Sequence, residues 1–118
     1  MDPFDASIWY TYWNSRRIVH AERGGVTILQ FSAPGFPWDI EVDPSDGTLW
    51  YADQRNNRIR HVERDGTGID AFGTPDTDTR SITIDPGTGD IWVADNNTAK
   101  LYRLDRDGNI LDTFATPF

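Results

Sequence analysis

Histidine is the first residue type to examine for chemistry, and this chain of 118 residues has two, His20 and His61, with no cysteine. Two imidazoles can hold a metal only if their ring nitrogens converge, because zinc ligands sit about 2 Å from the ion. The run Asp105-Arg106-Asp107-Gly108-Asn109 has the acidic density of a calcium loop, but its glycine stands fourth. An EF-hand needs glycine at the sixth position and glutamate at the twelfth. No Ser/His/Asp, phosphate-loop or paired-carboxylate spacing stands out. The inventory therefore predicts no catalytic residue, no metal and no cofactor. Recognition chemistry is better supplied. Trp13, Arg16, Phe36, Trp38, Arg55 and Arg80 are aromatic and arginine residues of the kind enriched where proteins meet ligands.

The elements that position these residues are repeated. Shifted by 42, Asp43 to Asp53 (DPSDGTLWYAD) falls on Asp85 to Asp95 (DPGTGDIWVAD), and Arg58 to Gly66 falls on Lys100 to Gly108. A shift of 41 brings Ser7 to Pro34 onto the second copy, so residues 1–34, 35–75 and 76–118 are three copies of one unit in one domain. A period near 42 built from short β-rich runs predicts propeller blades, since a four-stranded blade cannot bury both faces alone. In the second copy the strands read Trp38 to Val42 (A), Thr48 to Asp53 (B), Arg58 to Glu63 (C) and Gly68 to Phe72 (D). Asp65-Gly66, Asp107-Gly108 and Gly24-Gly25 supply the turn residues that accept positive φ between C and D.

The B strands Ile8-Trp9-Tyr10, Leu49-Trp50-Tyr51 and Ile91-Trp92-Val93 are apolar on consecutive residues, which requires cover on both faces. Trp9, Trp50 and Trp92 occupy one repeat position and read as packing residues between blades. His20 and His61 share a position on strand C, so they stand a blade apart and do not converge. The calcium-like run has Glu63-Arg64-Asp65-Gly66-Thr67 at its place in the second copy, which is a hairpin turn.

Leu49-Trp50-Tyr51-Ala52-Asp53, followed by Asn57-Arg58-Ile59 and Asp65-Gly66-Thr67, resembles the YWTD repeat of lipoprotein-receptor propellers. Ile91-Trp92-Val93-Ala94-Asp95, with Lys100-Leu101 and Asp107-Gly108-Asn109, is similar to the NHL type. The resemblance implies that Asp53 and Asp95, the acids ending strand B, are structural and tie neighbouring blades; the first copy departs with Tyr12. It leaves function open, because such blades serve receptors, ubiquitin ligases, lyases and lactonases. Propeller lactonases hold a metal at the channel mouth with acidic and amide side chains, whereas the mouth positions here are Trp38 and Arg80.

The first copy begins at the end of a strand A, so the fold class expected is all-β: three antiparallel propeller blades of four strands, the first lacking its inner strand. A ring needs four to eight blades. Two chains related by a two-fold axis could close a six-bladed homodimer; a head-to-tail joint that does not close would give a filament. The third option is that the missing blades belong to a longer propeller. The net charge of −8 disfavours nucleic acid and anionic membrane surfaces as partners. No apolar stretch is long enough for a membrane span, and no signal-peptide pattern opens the chain. Lack of cysteine leaves the compartment open. The B to C and D to A connections share one face and carry the six recognition candidates, so the function expected is a non-enzymatic module that self-associates and binds protein or glycan there. The alternative is a structural protomer of a filament or shell, followed by a metal-dependent lactonase or lyase.

Overall fold

The computed structural model describes residues 2–12 and 14–115, and among them there is no helix. The first sheet holds β1 (Ile8–Tyr12), β2 (Arg17–Ala21) and β3 (Thr27–Ser32). The second holds β4 (Pro37–Val42), β5 (Leu49–Asp53), β6 (Arg58–Val62) and β7 (Gly68–Gly73). The third holds β8 (Thr79–Ile84), β9 (Ile91–Asp95), β10 (Lys100–Leu104) and β11 (Ile110–Ala115). Every pairing is antiparallel between strands consecutive in the chain, so each sheet is a meander, and the first lacks an inner strand as the repeat arithmetic requires.

The copies share irregularities as well as strands. The ladder between the third and outermost strands shifts register at His20/Ala21, His61/Val62 and Arg103/Leu104, one repeat position in all three sheets. A bulge of this kind adds local twist next to the C to D turn. In those turns Gly25, Gly66 and Gly108 have φ of 92°, 96° and 89°, the left-handed region that glycine enters without steric cost. Strand β4 starts one residue earlier than its pattern predicts, and its ladder with β5 shifts between Pro37 and Ile40. Asp39 lies in that interval and accepts a hydrogen bond from the Ile82 N–H of β8 at 3.0 Å, linking the two inner strands.

The consecutive apolar residues of β5 serve two interfaces. Leu49 and Tyr51 pack back against the first sheet with Trp9, Ile18, Ala33, Val42 and Val62. Trp50 and Ala52 pack forward with Ile59, Ile82, Ile84, Ile91, Val93, Tyr102 and Leu104. The alternating pleat of one strand thus feeds two cores, which is why no polar residue interrupts it. Trp50 is 2% exposed and Trp9 8%. Trp92, at the same position in the third sheet, is only half-buried and lies beside Phe114, which is 47% exposed. The far sides of the two end sheets carry apolar surface, with Tyr12 51% exposed on β1.

Truncating Trp50 to alanine removes a buried indole from the second interface and is expected to cost about 3–5 kcal/mol, read from denaturant unfolding. The equivalent change at Trp92 in the monomeric chain is expected to cost less than half as much.

Candidate functional site

The recognition candidates assemble on the face formed by the B to C and D to A connections. Arg16, from the connection between β1 and β2, lies 5.4 Å from the centroid of Phe36. Arg55, from the connection between β5 and β6, lies 5.4 Å from the same ring. Arg80 of β8 stands 4.9 Å from the ring of Trp38 on β4. Guanidinium groups at these distances are attracted by the ring quadrupole. Five of the six residues therefore form two aromatic platforms with arginines over them, drawn from all three sheets. Trp13, the sixth, lies outside the described residues.

Buried carboxylates hold this face in place. Asp53 accepts the Phe36 N–H at 3.1 Å, the Asn56 side-chain amide at 2.9 Å and Arg60 Nε at 2.9 Å. Burial raises its pKa, but the bonds from Asn56, Arg60 and Phe36 outweigh that and hold it below the usual carboxylate range. A Cβ on Gly35, whose φ is +74°, would lie 2.0 Å from Asp53 Oδ1, so glycine is required for the chain to present Phe36 over this carboxylate. Asp95 does the same work one blade on, accepting Asp78 N–H at 2.9 Å and the Asn97 and Thr98 N–H groups at 2.9 Å. Both acids act on the connection arriving from the preceding blade and on their own B to C loop. Asp78 in turn pairs with Arg80 Nε at 2.9 Å and accepts Gln54 Nε2 at 3.2 Å.

The opposite face carries a pattern that residue types alone did not reveal. Trp9 stacks on His20 with centroids 4.0 Å apart and donates its indole N–H to Asp2 at 2.9 Å. Trp50 stacks on His61 at 3.9 Å and donates to Asp43 at 3.1 Å. From the next blade, Arg64 reaches Asp2 at 2.6 Å and lies 5.2 Å from the Trp9 ring. Arg106 reaches Asp43 at 2.5 Å and lies 5.7 Å from Trp50. These arginines cross the blade joints, and each is the second residue of its C to D turn. The signal was present in the repeat alignment, where Asp43, His61 and Arg64 recur at a spacing of 41 or 42, but Glu63-Arg64 and Asp105-Arg106 read as hairpin residues.

Each histidine also bonds a hydroxyl that bonds an acid. Ser7 Oγ lies 2.5 Å from His20 Nε2 and donates to Asp5 Oδ1, while Thr48 Oγ1 lies 2.6 Å from His61 Nε2 and donates to Asp46 Oδ1. Because a carboxylate only accepts and a hydroxyl has one hydrogen, this network assigns the proton of each neutral ring to Nε2. Asp2, Asp5 and His20, and likewise Asp43, Asp46 and His61, bring ligand-type atoms within 4.8 Å of one another. In both clusters the inner aspartate already faces a guanidinium, so the cationic position is taken by arginine. The Asp105 carboxylate accepts the N–H groups of Asp107 and Asn109, each at 2.9 Å, within its own turn.

Burial lowers the pKa of both histidines, with Arg64 adding to the effect at His20 and Arg106 at His61; Asp2 and Asp5, and Asp46, Asp43 and Asp70, oppose it. Burial raises Asp43, yet the bonds from Ser45, Arg106 and Trp50 bring it down to about 2. The folded state thus binds fewer protons than the unfolded chain in two windows. Stability is expected to fall as pH drops below 6.5 through the depressed histidine values, and again below 3.8 toward about 2. Thermal melts across this range are expected to lose only the first step in a chain carrying both His20→Gln and His61→Gln.

No protein-family profile matches the chain, and no curated protein sequence matches it. Solved structures do. A catalytically inactive virginiamycin B lyase from Staphylococcus aureus, solved with quinupristin, matches with a TM-score of 0.77 at 22% identity over 99% of this chain and 40% of its own. A nidogen/laminin complex matches with a TM-score of 0.79 at 26% identity, over 96% of this chain and 46% of that one. The WD40 β-propeller domain of Doa1 gives 0.72 at 19% identity, over 94% and 37%. The chain spans about two fifths of the length of the structures it matches. It folds as part of a β-propeller, a set of consecutive blades whose first sheet has three strands. The matches include an enzyme and protein-binding modules alike, so the fold itself does not select an activity.

Proposed function

We propose that this chain is a non-enzymatic β-propeller module of the YWTD/NHL type that binds a protein ligand through the arginine and aromatic face and self-associates through its end blades. The observation that carries this is the convergence of Arg16 and Arg55 on Phe36 and of Arg80 on Trp38, at 4.9–5.4 Å, on a rigid three-sheet scaffold. In a chain of net charge −8, three arginines presented over aromatic rings suit an acidic or aromatic peptide segment. The nidogen/laminin match is itself a complex between proteins. The inner carboxylates near the histidines, Asp2 and Asp43, are engaged with arginine and indole groups, which supports structural over catalytic duty there. A filament or shell protomer is the second reading, favoured by the exposed apolar residues Ile8, Tyr12 and Phe114 on the two end sheets.

Peptide and glycan arrays probed with the chain distinguish ligand classes. Selection of acidic peptides is expected, with a loss of at least about tenfold in affinity when Arg55 and Arg80 are both replaced by glutamate. Selection of glycans instead, or binding that survives both substitutions, would count against a protein ligand on this face.

A further inference from the structure

The blade joint has a fixed set of parts, and the chain contains the joint twice. At the first, Arg64 meets Asp2 and Trp9, and Gly66 packs on Phe31, where an added Cβ would lie 2.6 Å from the ring. At the second, Arg106 meets Asp43 and Trp50, and Gly108 packs on Phe72 with the same 2.6 Å limit. One side of the joint therefore offers an arginine and a glycine two residues on; the other offers an aspartate, a tryptophan and a phenylalanine.

Both halves of a third joint are present at the two ends of the array. Arg23 and Gly25 stand on the first blade at the positions of Arg64 and Gly66. Arg23 is exposed and has no hydrogen bond, ion pair or ring contact among the described residues, and a Cβ on Gly25 would meet nothing within 4 Å. On the third blade, Asp85, Trp92 and Phe114 stand where Asp43, Trp50 and Phe72 do. Asp85 accepts the Gly87 N–H at 2.8 Å and the Thr88 N–H at 3.4 Å, as the turn requires, but makes no ion pair among the described residues; Arg106, paired with Asp43, lines the same cavity. Trp92 and Phe114 lie 6.0 Å apart, Phe114 47% exposed and Trp92 half-buried with Arg103 of its own sheet 6.0 Å from its ring centroid. Arg23 stands at one end and Asp85 at the other, at the repeat positions of the internal pairs, while Arg103 stands by Trp92 where histidine stacks on Trp9 and Trp50.

We propose that a second copy of this chain docks its first blade onto the third blade of the first copy, Arg23 pairing with Asp85 over Trp92 and the Gly24-Gly25 turn receiving Phe114. This specifies the self-association proposed above and rests on it. The joint is heterologous: it closes a ring when two copies make it reciprocally and extends a filament when they do not.

Light scattering coupled to size exclusion over a range of micromolar concentrations tests it, with circular dichroism to confirm folding. The chain is expected to run at twice its 13.4 kDa mass or more. Because Arg23 makes no hydrogen bond, ion pair or ring contact among the described residues, Arg23→Glu is expected to leave unfolding nearly unchanged while weakening assembly at least about tenfold. Asp85→Arg, or Asp85→Asn should the arginine disturb its turn, is expected to weaken assembly likewise, and Arg23→Glu with Asp85→Arg in one chain to restore it. Arg64→Glu, at the internal joint, is expected to lower folding stability instead. An unaltered chain that is monomeric throughout would overturn both this joint and self-association. Assembly that is indifferent to Arg23→Glu would overturn this joint alone.

Discussion

An indole held between two blades organises this fold. A blade cannot bury both its faces, and the central tryptophan solves this by having a partner on each side: a histidine of its own sheet stacked about 4 Å away and an arginine from the next sheet. The aspartate that accepts the indole N–H also receives that arginine. One carboxylate thus satisfies a buried donor and pins the neighbouring blade. Its own burial would be costly without both bonds. Charge and packing are inseparable here, since losing the arginine leaves a buried anion as well as an open ring face.

Much of this was legible in the sequence because the chain writes it repeatedly. The period, the strand order and the absent inner strand follow from aligning Asp43 to Gly66 with its copies, and the consecutive apolar residues of β5 correctly imply two covered faces. The arginine lock was not legible, because Arg64 and Arg106 sit in turns, where charge is ordinary, and their partners lie more than sixty residues away in the chain. The Ser7 and Thr48 bonds to histidine were hidden for the same reason: a hydroxyl just before a strand carries no signal until the cross-strand register puts it against the ring. The candidate face was half legible. Residue type and loop position selected Arg16, Phe36, Arg55, Trp38 and Arg80, but only the fold shows which arginine meets which ring.

The two faces of the array therefore divide the work. The face with the C to D turns is uniform between copies, and the turns of the second and third blades reach the same lock through Arg64 and Arg106. The other face is anchored by Asp53 and Asp95 from below, so its loops can vary without loosening the scaffold. A recognition surface built this way is stable because its supports are buried carboxylates with several donors each. Its loops differ between copies, although Arg16 over Phe36 and Arg80 over Trp38 also bridge neighbouring blades.

The measurement closest to the centre of this account is a double-mutant cycle between Arg106 and Asp43, following unfolding free energy in Arg106→Ala, Asp43→Ala and the pair. If the guanidinium and the buried carboxylate act as one lock, the coupling energy should be about 1–2 kcal/mol, inside the range for contacting charged residues. A coupling near zero, with additive single effects, would mean that apolar packing alone joins the blades and that the arginine is incidental.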